Sequence, residues 1–260
     1  CSCLPSTEVT SLVLIDDAHQ NMDTSIANYY PALISTLQGM GYGVKFVSEV
    51  GLTPSASTYS IVILAAPLQP YSDTEILALK NFVSDGGKLI MMGDSAFPIN
   101  AINDVLNNLS SALEAGITFN ADTIYDDENT YQTDGWIETS RFVSHTTTSG
   151  LNSLVYFGTC SLSLQGSATP IVYAEATAYP VTFTERSLNI SEENSVGSGI
   201  KAGGTKTIIV DGNIVLSAVA SIGNGKVIAI GDTNIFSDVG SHDYIYVKDN
   251  MKFLKNIINW

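Results

Sequence analysis

Basic side chains are scarce: the 260 residues hold 11 Lys and Arg against 26 Asp and Glu, a formal charge of −15. That balance excludes a nucleic-acid partner, because phosphate recognition requires a basic face that displaces counterions. Charge of either sign is thin, at 14% of the chain where soluble domains carry about 25%. With 45% hydrophobic residues the chain is not a disordered one and has to bury a core. Long apolar runs are missing as well. Stretches such as residues 61–67 and 89–92 stop far short of the roughly 20 residues that span a bilayer. The length suits one large domain, or a domain with a sizeable insertion.

Cysteine is limited to Cys1, Cys3 and Cys160. Cys1 followed by Ser2 is similar to the mature end of a bacterial-type lipoprotein, so Cys1 is the lipidation candidate, and a lipid there is the expected membrane contact. An odd cysteine count leaves one pair and a remainder; Cys3 with Cys160 is the expected disulfide, with Cys1 lipidated or free. Asn108 and Asn189 open N-x-S/T sequons and are the glycosylation candidates. Few lysines and abundant Ser, Thr and Asn agree with an exported protein, at the cell surface or extracellular.

What is present is a regular alternation. Residues 1–10 form a short polar leader, and 11–260 read as one α/β domain. The run 11–15 ends on Asp16-Asp17 and reads as a buried strand. Residues 24–40 carry helical spacing closed by Gly39 and Gly41, and 43–47 and 61–66 are the next strands. Ser72-Asp73-Thr74-Glu75 is a capping box opening a helix that ends at Gly86-Gly87. Residues 88–92 are a fourth strand and 99–113 another helix. Such alternation with short connections is the pattern of a parallel sheet covered on both faces. It lapses at about 120–150, an acidic stretch without a sustained period that reads as an irregular insertion or long loop over one sheet edge. The C-terminal half is β-rich, with strands at 154–157, 170–174, 207–210, 214–218 and 226–230 and a hairpin turn at Asp211-Gly212-Asn213. An amphipathic helix at 244–260 closes the chain. One local device occurs twice, Gly87-Lys88 to Gly93-Asp94 and Gly225-Lys226 to Gly231-Asp232: a glycine turn, a buried strand, and Gly-Asp at its exit.

These motifs together resemble the class I glutamine amidotransferase-like superfamily. The residues concerned are Asp16-Asp17-Ala18-His19, Tyr71 to Glu75, Gly86 to Leu89 running into Gly93-Asp94, and Phe142 to His145 with Ser149 to Leu151. Gly225 to Val227, Gly231 to Phe236 and Asp249-Asn250 complete the set. Within the superfamily they are most similar to the non-catalytic branch seen in surface proteins and in gliding and intraflagellar transport proteins. The resemblance runs from about residue 11 to 260, leaving the acidic stretch and 179–204 unmatched. It implies a flavodoxin-like parallel sheet sandwiched by helices, and binding or scaffolding rather than catalysis.

Catalytic members carry a nucleophilic Cys in G-x-C-x-G with a later His and Glu. Here the matching turn is Gly93-Asp94-Ser95-Ala96-Phe97, and no His-x-Glu follows. Phe97 in place of the second glycine counts against a strained elbow. Ser95 is the alternative nucleophile, with His19 within reach of the same edge, and an N-cap of the following helix is its structural role. Asp16, Asp17, Asp94 and Asp232 each follow a buried strand, so with His19 they fall on the C-terminal sheet edge, where doubly wound sheets seat ligands. Converging carboxylates repel unless a cation, a proton or hydrogen bonds relieve them. Ca2+ is one answer; backbone N–H donors are the other. Asp122, Asp126, Asp127, Glu128 and Asp134 form a second cation candidate, though they miss the EF-hand template and read also as a solvated acidic loop. Three functions follow: a binding or scaffold domain for a surface protein or glycan, a self-associating subunit of an extracellular layer or filament, and a serine or metal-dependent hydrolase.

Overall fold

The computed structural model describes residues 11–21, 26–95, 101–183, 204–206, 213–239 and 243–260. Cys1, Cys3, Phe97, Asn189, His242, the expected strand at 207–210 and most of the turn at 211–213 lie outside them.

The first half alternates as the apolar spacing requires: β1 (Ser11–Ile15), α1 (Ile26–Tyr29), α2 (Pro31–Gly39), β2 (Tyr42–Phe46), α3 (Val47–Val50), β3 (Tyr59–Ala65), α4 (Asp73–Ser84), β4 (Lys88–Met92) and α5 (Asp104–Leu113). Strands then dominate: β5 (Ile117–Phe119), β6 (Thr123–Tyr125), β7 (Thr130–Tyr131), β8 (Thr133–Thr139), β9 (Arg141–Phe142), β10 (Leu154–Phe157), β11 (Leu162–Leu164) and β12 (Thr169–Tyr173). The remainder are β13 (Tyr179–Phe183), β14 (Gly204–Lys206), β15 (Val215–Ile222), β16 (Gly225–Ile230) and α6 (Asn250–Asn259).

The central sheet is mixed. β2, β1, β3, β4 and β16 lie side by side and parallel, and β15 continues antiparallel to β16. β11 and β5 follow, while β12 and β9 branch from β15. Successive side chains of a strand face opposite ways, which divides the core in two. Val13, Ile15, Ile61, Ile63, Ile90, Ile228 and Ile230 pack under α2 and α6. Leu14, Val62, Leu64, Leu89, Met91 and Val227 pack under α4 and α5.

Several expectations need correcting. The helix over 24–40 is broken at Tyr30-Pro31: proline lacks the N–H that a continuous helix needs and starts α2 at its first turn instead. The closing helix begins at Asn250, not at 244. Lys248 has a left-handed φ of 50°, and the Asn250 side chain is spent on bonds to the Val155 backbone, at 3.1 Å to its N–H and 2.9 Å to its carbonyl. The helix over 99–113 is described from Asp104, with Asn103 at its N-cap. The stretch 120–150 is not a loop. It forms β6 to β9, and its Ile124 and Ile137 enter the α2/α6 side of the core.

The repeated Gly-Lys device has a shared purpose at the N-terminal sheet edge. Lys88 Nζ donates to the carbonyls of Ile257 and Ile258 at 2.8 and 2.7 Å, and Lys226 Nζ donates to that of Trp260 while lying 4.7 Å from its ring centroid. Both ammonium groups thus cap the C-terminal end of α6, where the helix dipole favours positive charge.

Candidate functional site

The chain leaves β1 outward to β2 and returns to β3 on β1's other side. That reversal is the topological switch point of the sheet, and the loops after β1 and β3 meet there: the Leu68 and Gln69 N–H groups donate to the His19 carbonyl at 3.0 and 2.9 Å. Two non-glycine residues there hold left-handed φ angles, Gln20 at 48° and Ala66 at 36°, a strain that persists only where surroundings enforce it.

Between these loops lies a buried polar cluster. Asp16, fully buried, accepts from the Ala18 N–H at 3.1 Å and from the Tyr71 hydroxyl at 2.8 Å. Its Oδ1 lies 2.8 Å from His19 Nδ1, and His19 Nε2 is 3.3 Å from Glu75 Oε1. The Tyr71 ring stands edge-on to the imidazole at 4.5 Å between centroids. Burial on its own would lower the His19 pKa, but the hydrogen bonds and charges of Asp16 and Glu75 outweigh it and raise it. Burial and then the charge of Asp16 push the Tyr71 phenol well up. Glu75 also serves the helix that carries it. Its other oxygen accepts from the Ser72 N–H at 2.8 Å, completing the capping box of α4. Beside the cluster, Asn21 donates to the Ala65 carbonyl at 2.7 Å, while its buried Oδ1 accepts no hydrogen bond.

The remaining acids do not join this cluster. Asp17 turns to α3, accepting from the Ser48 N–H at 2.8 Å and hydroxyl at 2.6 Å. Asp94 accepts from the Ser95 N–H at 2.7 Å and from the Thr233 hydroxyl. Asp232 accepts from the backbone of Phe157 at 2.5 Å and of Asn234 at 2.7 Å. The second group behaves alike: Asp122 holds the Ser161 N–H and hydroxyl, Asp126 the N–H groups of Glu128 and Asn129, and Asp127 the Tyr179 hydroxyl. Asp122 and Asp126 are buried, so they are not a solvated loop; Glu128 is exposed and Asp134 half-buried. Among the described residues no three His, Cys, Asp or Glu side chains group into a metal site. Of the two ways of relieving these acids, the structure shows hydrogen-bond donors at Asp16, Asp17, Asp94, Asp232, Asp122, Asp126 and Asp127.

Ser95 is buried and does not cap α5, since Asn103 occupies that position. Asn103 instead bridges the strand exit, accepting from the Asp94 N–H at 3.0 Å and donating to the Asp94 carbonyl at 2.8 Å. Gly93 makes room for it: a Cβ there would lie 2.4 Å from the Phe119 ring and 2.8 Å from Asn103 Oδ1. The Cys160 thiol, expected to bond Cys3, is free and fully buried, with its pKa pushed well up by burial and by Asp122 and Asp94. Asn108 is exposed on α5. His145 lies with α6, its ring 5.0 Å from that of Trp260.

Sequence reasoning reached Asp16 and His19 but missed Tyr71, Asn21 and Asn103 as site residues. Glu75 was visible only as half of the capping box; nothing local to it indicates a histidine 56 positions earlier in the sequence, 75 − 19.

Residues 48–256 match the family described as Domain of unknown function (DUF4350). The chain belongs to the DUF4350 family. The match begins within α3, so β1 and the Asp16–His19 loop precede it. No curated protein matches the chain. Among solved structures it is similar to the mmIFT52 N-terminal domain, with a TM-score of 0.68 at 15% identity over 95% of this chain and 96% of that one. It is also similar to the Cytoplasmic Protein STM1381 from Salmonella typhimurium LT2, with a TM-score of 0.56 at 13% identity over 95% and 98%. At these identities the likeness establishes a shared fold for this DUF4350 chain: mixed α/β, with a mixed central sheet.

Proposed function

We propose that this DUF4350 chain is a non-catalytic recognition or scaffold domain of an exported protein, built on a flavodoxin-like sheet of the class I glutamine amidotransferase-like type. The strand order β2-β1-β3-β4-β16 supports the flavodoxin-like assignment, as does the likeness to the mmIFT52 N-terminal domain. The observation that carries the functional reading is the engagement of His19. Both of its ring nitrogens face carboxylates, at 2.8 and 3.3 Å, so the imidazole has no nitrogen left to take a proton from Ser95. A general base has to reach its proton within hydrogen-bond distance, and His19 is committed to holding the loop after β1 against α4.

A panel of fluorogenic ester, amide and glycoside substrates tests this directly. The wild-type chain and Ser95→Ala should show the same background rate. Turnover that disappears in Ser95→Ala would overturn the reading.

A further inference from the structure

β5 ends the sheet on the side away from β2, and α5 covers its outer edge. Asn107 Oδ1 accepts from the Phe119 N–H at 2.8 Å, its Nδ2 donates to the Phe119 carbonyl at 2.9 Å, and the Ser110 hydroxyl donates to the Ile117 carbonyl at 2.5 Å. A strand arriving at this edge would find those backbone groups taken. Thr118, between the buried Ile117 and Phe119, is exposed. Beside it a pocket of about 370 Å3 opens between the α5–β5 connection and the β11–β12 turn, a volume within the range that small ligands occupy. The two loops are locked together: the Gln165 N–H donates to the Gly116 carbonyl at 2.8 Å, and a Cβ on Gly116 would lie 2.2 Å from the Gln165 carbonyl oxygen. Ser111, Thr118, Gln165 and Ser167 line the pocket, are exposed, and make no side-chain hydrogen bond among the described residues. Glu114 stands in the same wall at a double cost. It follows the last residue of α5 with a left-handed φ of 57°, a conformation that glycine adopts freely and on which helices commonly end. Its carboxylate also lies at the helix C-terminus, the end where the dipole disfavours negative charge. Lys80 relieves it only in part. Its Nζ lies 3.5 Å from Oε1 of a side chain that is 84% exposed, and donates to the Ala112 carbonyl at 3.1 Å. A non-glycine residue kept at such a position points to a use for its side chain.

We propose that this pocket binds a neutral hexopyranose unit of a glycan, its hydroxyls donating to Glu114 and exchanging hydrogen bonds with Ser111, Thr118, Gln165 and Ser167. The proposal rests on the reading of the chain as a recognition domain and names the class of what it recognises. The lining selects the ligand by exclusion. An anion meets Glu114 in a molecule of charge −15, a cation meets the Lys80 ammonium beside Glu114, and an apolar ligand meets hydroxyl and amide walls that it would leave unpaired. A polyol pairs with all of them, and a carboxylate acceptor makes the strongest of those bonds. No aromatic ring lines the pocket, so a single unit is held by hydrogen bonds alone, with a Kd on the order of millimolar.

The test follows the whole chain by saturation-transfer NMR against methyl β-galactopyranoside, methyl β-glucopyranoside and methyl α-mannopyranoside. The controls are the fully O-methylated glucoside, which keeps the shape and loses every donor, glucuronate as the anion, and methylammonium as the cation. At least one of the three neutral glycosides should bind, and the controls should not. Gln165→Ala and Glu114→Gln should each weaken that binding about fivefold or more. Glu114→Gly separates the residue's cost from its use. It should weaken binding as much while leaving the melting temperature unchanged or higher, because the left-handed turn is relieved. Glu114 and Gln165 are both exposed, so neither change threatens the fold. Absence of binding by all three glycosides, equal binding of the O-methylated sugar, methylammonium binding that requires Glu114, or glycoside binding that persists in Glu114→Gly would each overturn the proposal. Those results leave the recognition reading untouched; Ser95-dependent turnover is what removes that one.

Discussion

At His19 a buried imidazole meets Asp16 on one side and Glu75 on the other, and the consequence is a definite pH dependence. Its folded pKa is raised above the ordinary value of 6.5, so the folded state binds the proton more tightly than the unfolded chain does. The stability this contributes is fully present below pH 6.5 and is lost as pH rises through the folded value. We predict that His19→Gln costs roughly 3 kcal/mol in urea unfolding at pH 5.5, because it leaves the buried Asp16 without its cation, and costs clearly less at pH 8.5. A penalty independent of pH would show that the imidazole is neutral in the folded protein. Tyr71→Phe removes one hydrogen bond to Asp16 and should cost about 1–2 kcal/mol. The sequence places Asp16 and His19 on one loop three residues apart, which made them legible. It does not show Tyr71 and Glu75 closing over them, because that depends on β1 and β3 being neighbours. For the other acids the sequence left a cation and hydrogen-bond donors as alternatives, and could not choose because several donors are far off in the chain, as Thr233 is for Asp94 and Phe157 for Asp232.

Elements were legible in proportion to how much apolar sequence they carry. β4 and β10, runs of five and four residues, stand where the pattern puts them, and the Ser72–Glu75 capping box is formed as expected; Ser72→Ala should cost about 1 kcal/mol. Strands of three residues such as β5 and β11 are too short to display a period, so this edge of the sheet was unreadable, whereas β12, β15 and β16 lie at or near the expected 170–174, 214–218 and 226–230. The same shortness hides β6, whose Ile124 enters the core, and β7, which pairs with β8. Glycine mattered at element joints through close approach rather than conformation. A Cβ on Gly225 would stand 1.9 Å from the Val83 carbonyl oxygen and 2.5 Å from that of Gly87, both backbone atoms with nowhere to go. Gly225→Ala should therefore destabilise by about 3 kcal/mol or more, and unfolding within 1 kcal/mol of wild type would mean that α4 and β16 are not packed so closely. At α6 the cap is electrostatically costly: burial first, and the charge of Lys226 second, lower the Lys88 pKa from 10.5 to about 8. Between those values the unfolded chain holds more protons than the folded one, so stability rises with pH from this group. Wild type should gain on Lys88→Met as urea unfolding is repeated at pH 7.5, 9 and 10; a gap that shrinks would contradict the buried cap.

The molecule as a whole separates its charges along the strands. Lys88 and Lys226 sit at the N-terminal sheet edge, while Asp16, Asp94 and Asp232 sit at the C-terminal edge, where hydrogen bonds hold them. Ion pairing among the described residues is sparse. Beyond the two at His19 there are Lys80–Glu114 at 3.5 Å, with Glu114 largely exposed, and Lys248–Glu138 at 3.0 Å. Exposed pairs of this kind contribute at most about 1 kcal/mol each, and they are the attractions that salt would weaken. Against them stands the mutual repulsion of a −15 chain, which a compact state concentrates and unfolding relieves. Raising NaCl from about 10 mM to 300 mM shortens the screening length from about 30 Å to well under 10 Å, so it removes more repulsion than attraction. The melting temperature should accordingly rise by a few degrees over that range and then level off. Millimolar CaCl2 at matched ionic strength should add nothing further, because Asp16, Asp94 and Asp232 at the sheet edge already accept hydrogen bonds and no three such side chains group among the described residues. A melting temperature that falls with NaCl would mean that the surface pairs outweigh the net charge. A calcium-specific increment that disappears in Asp94→Asn would instead show that the sheet edge rearranges around a cation, with Asp94 exchanging the Thr233 hydroxyl for the metal.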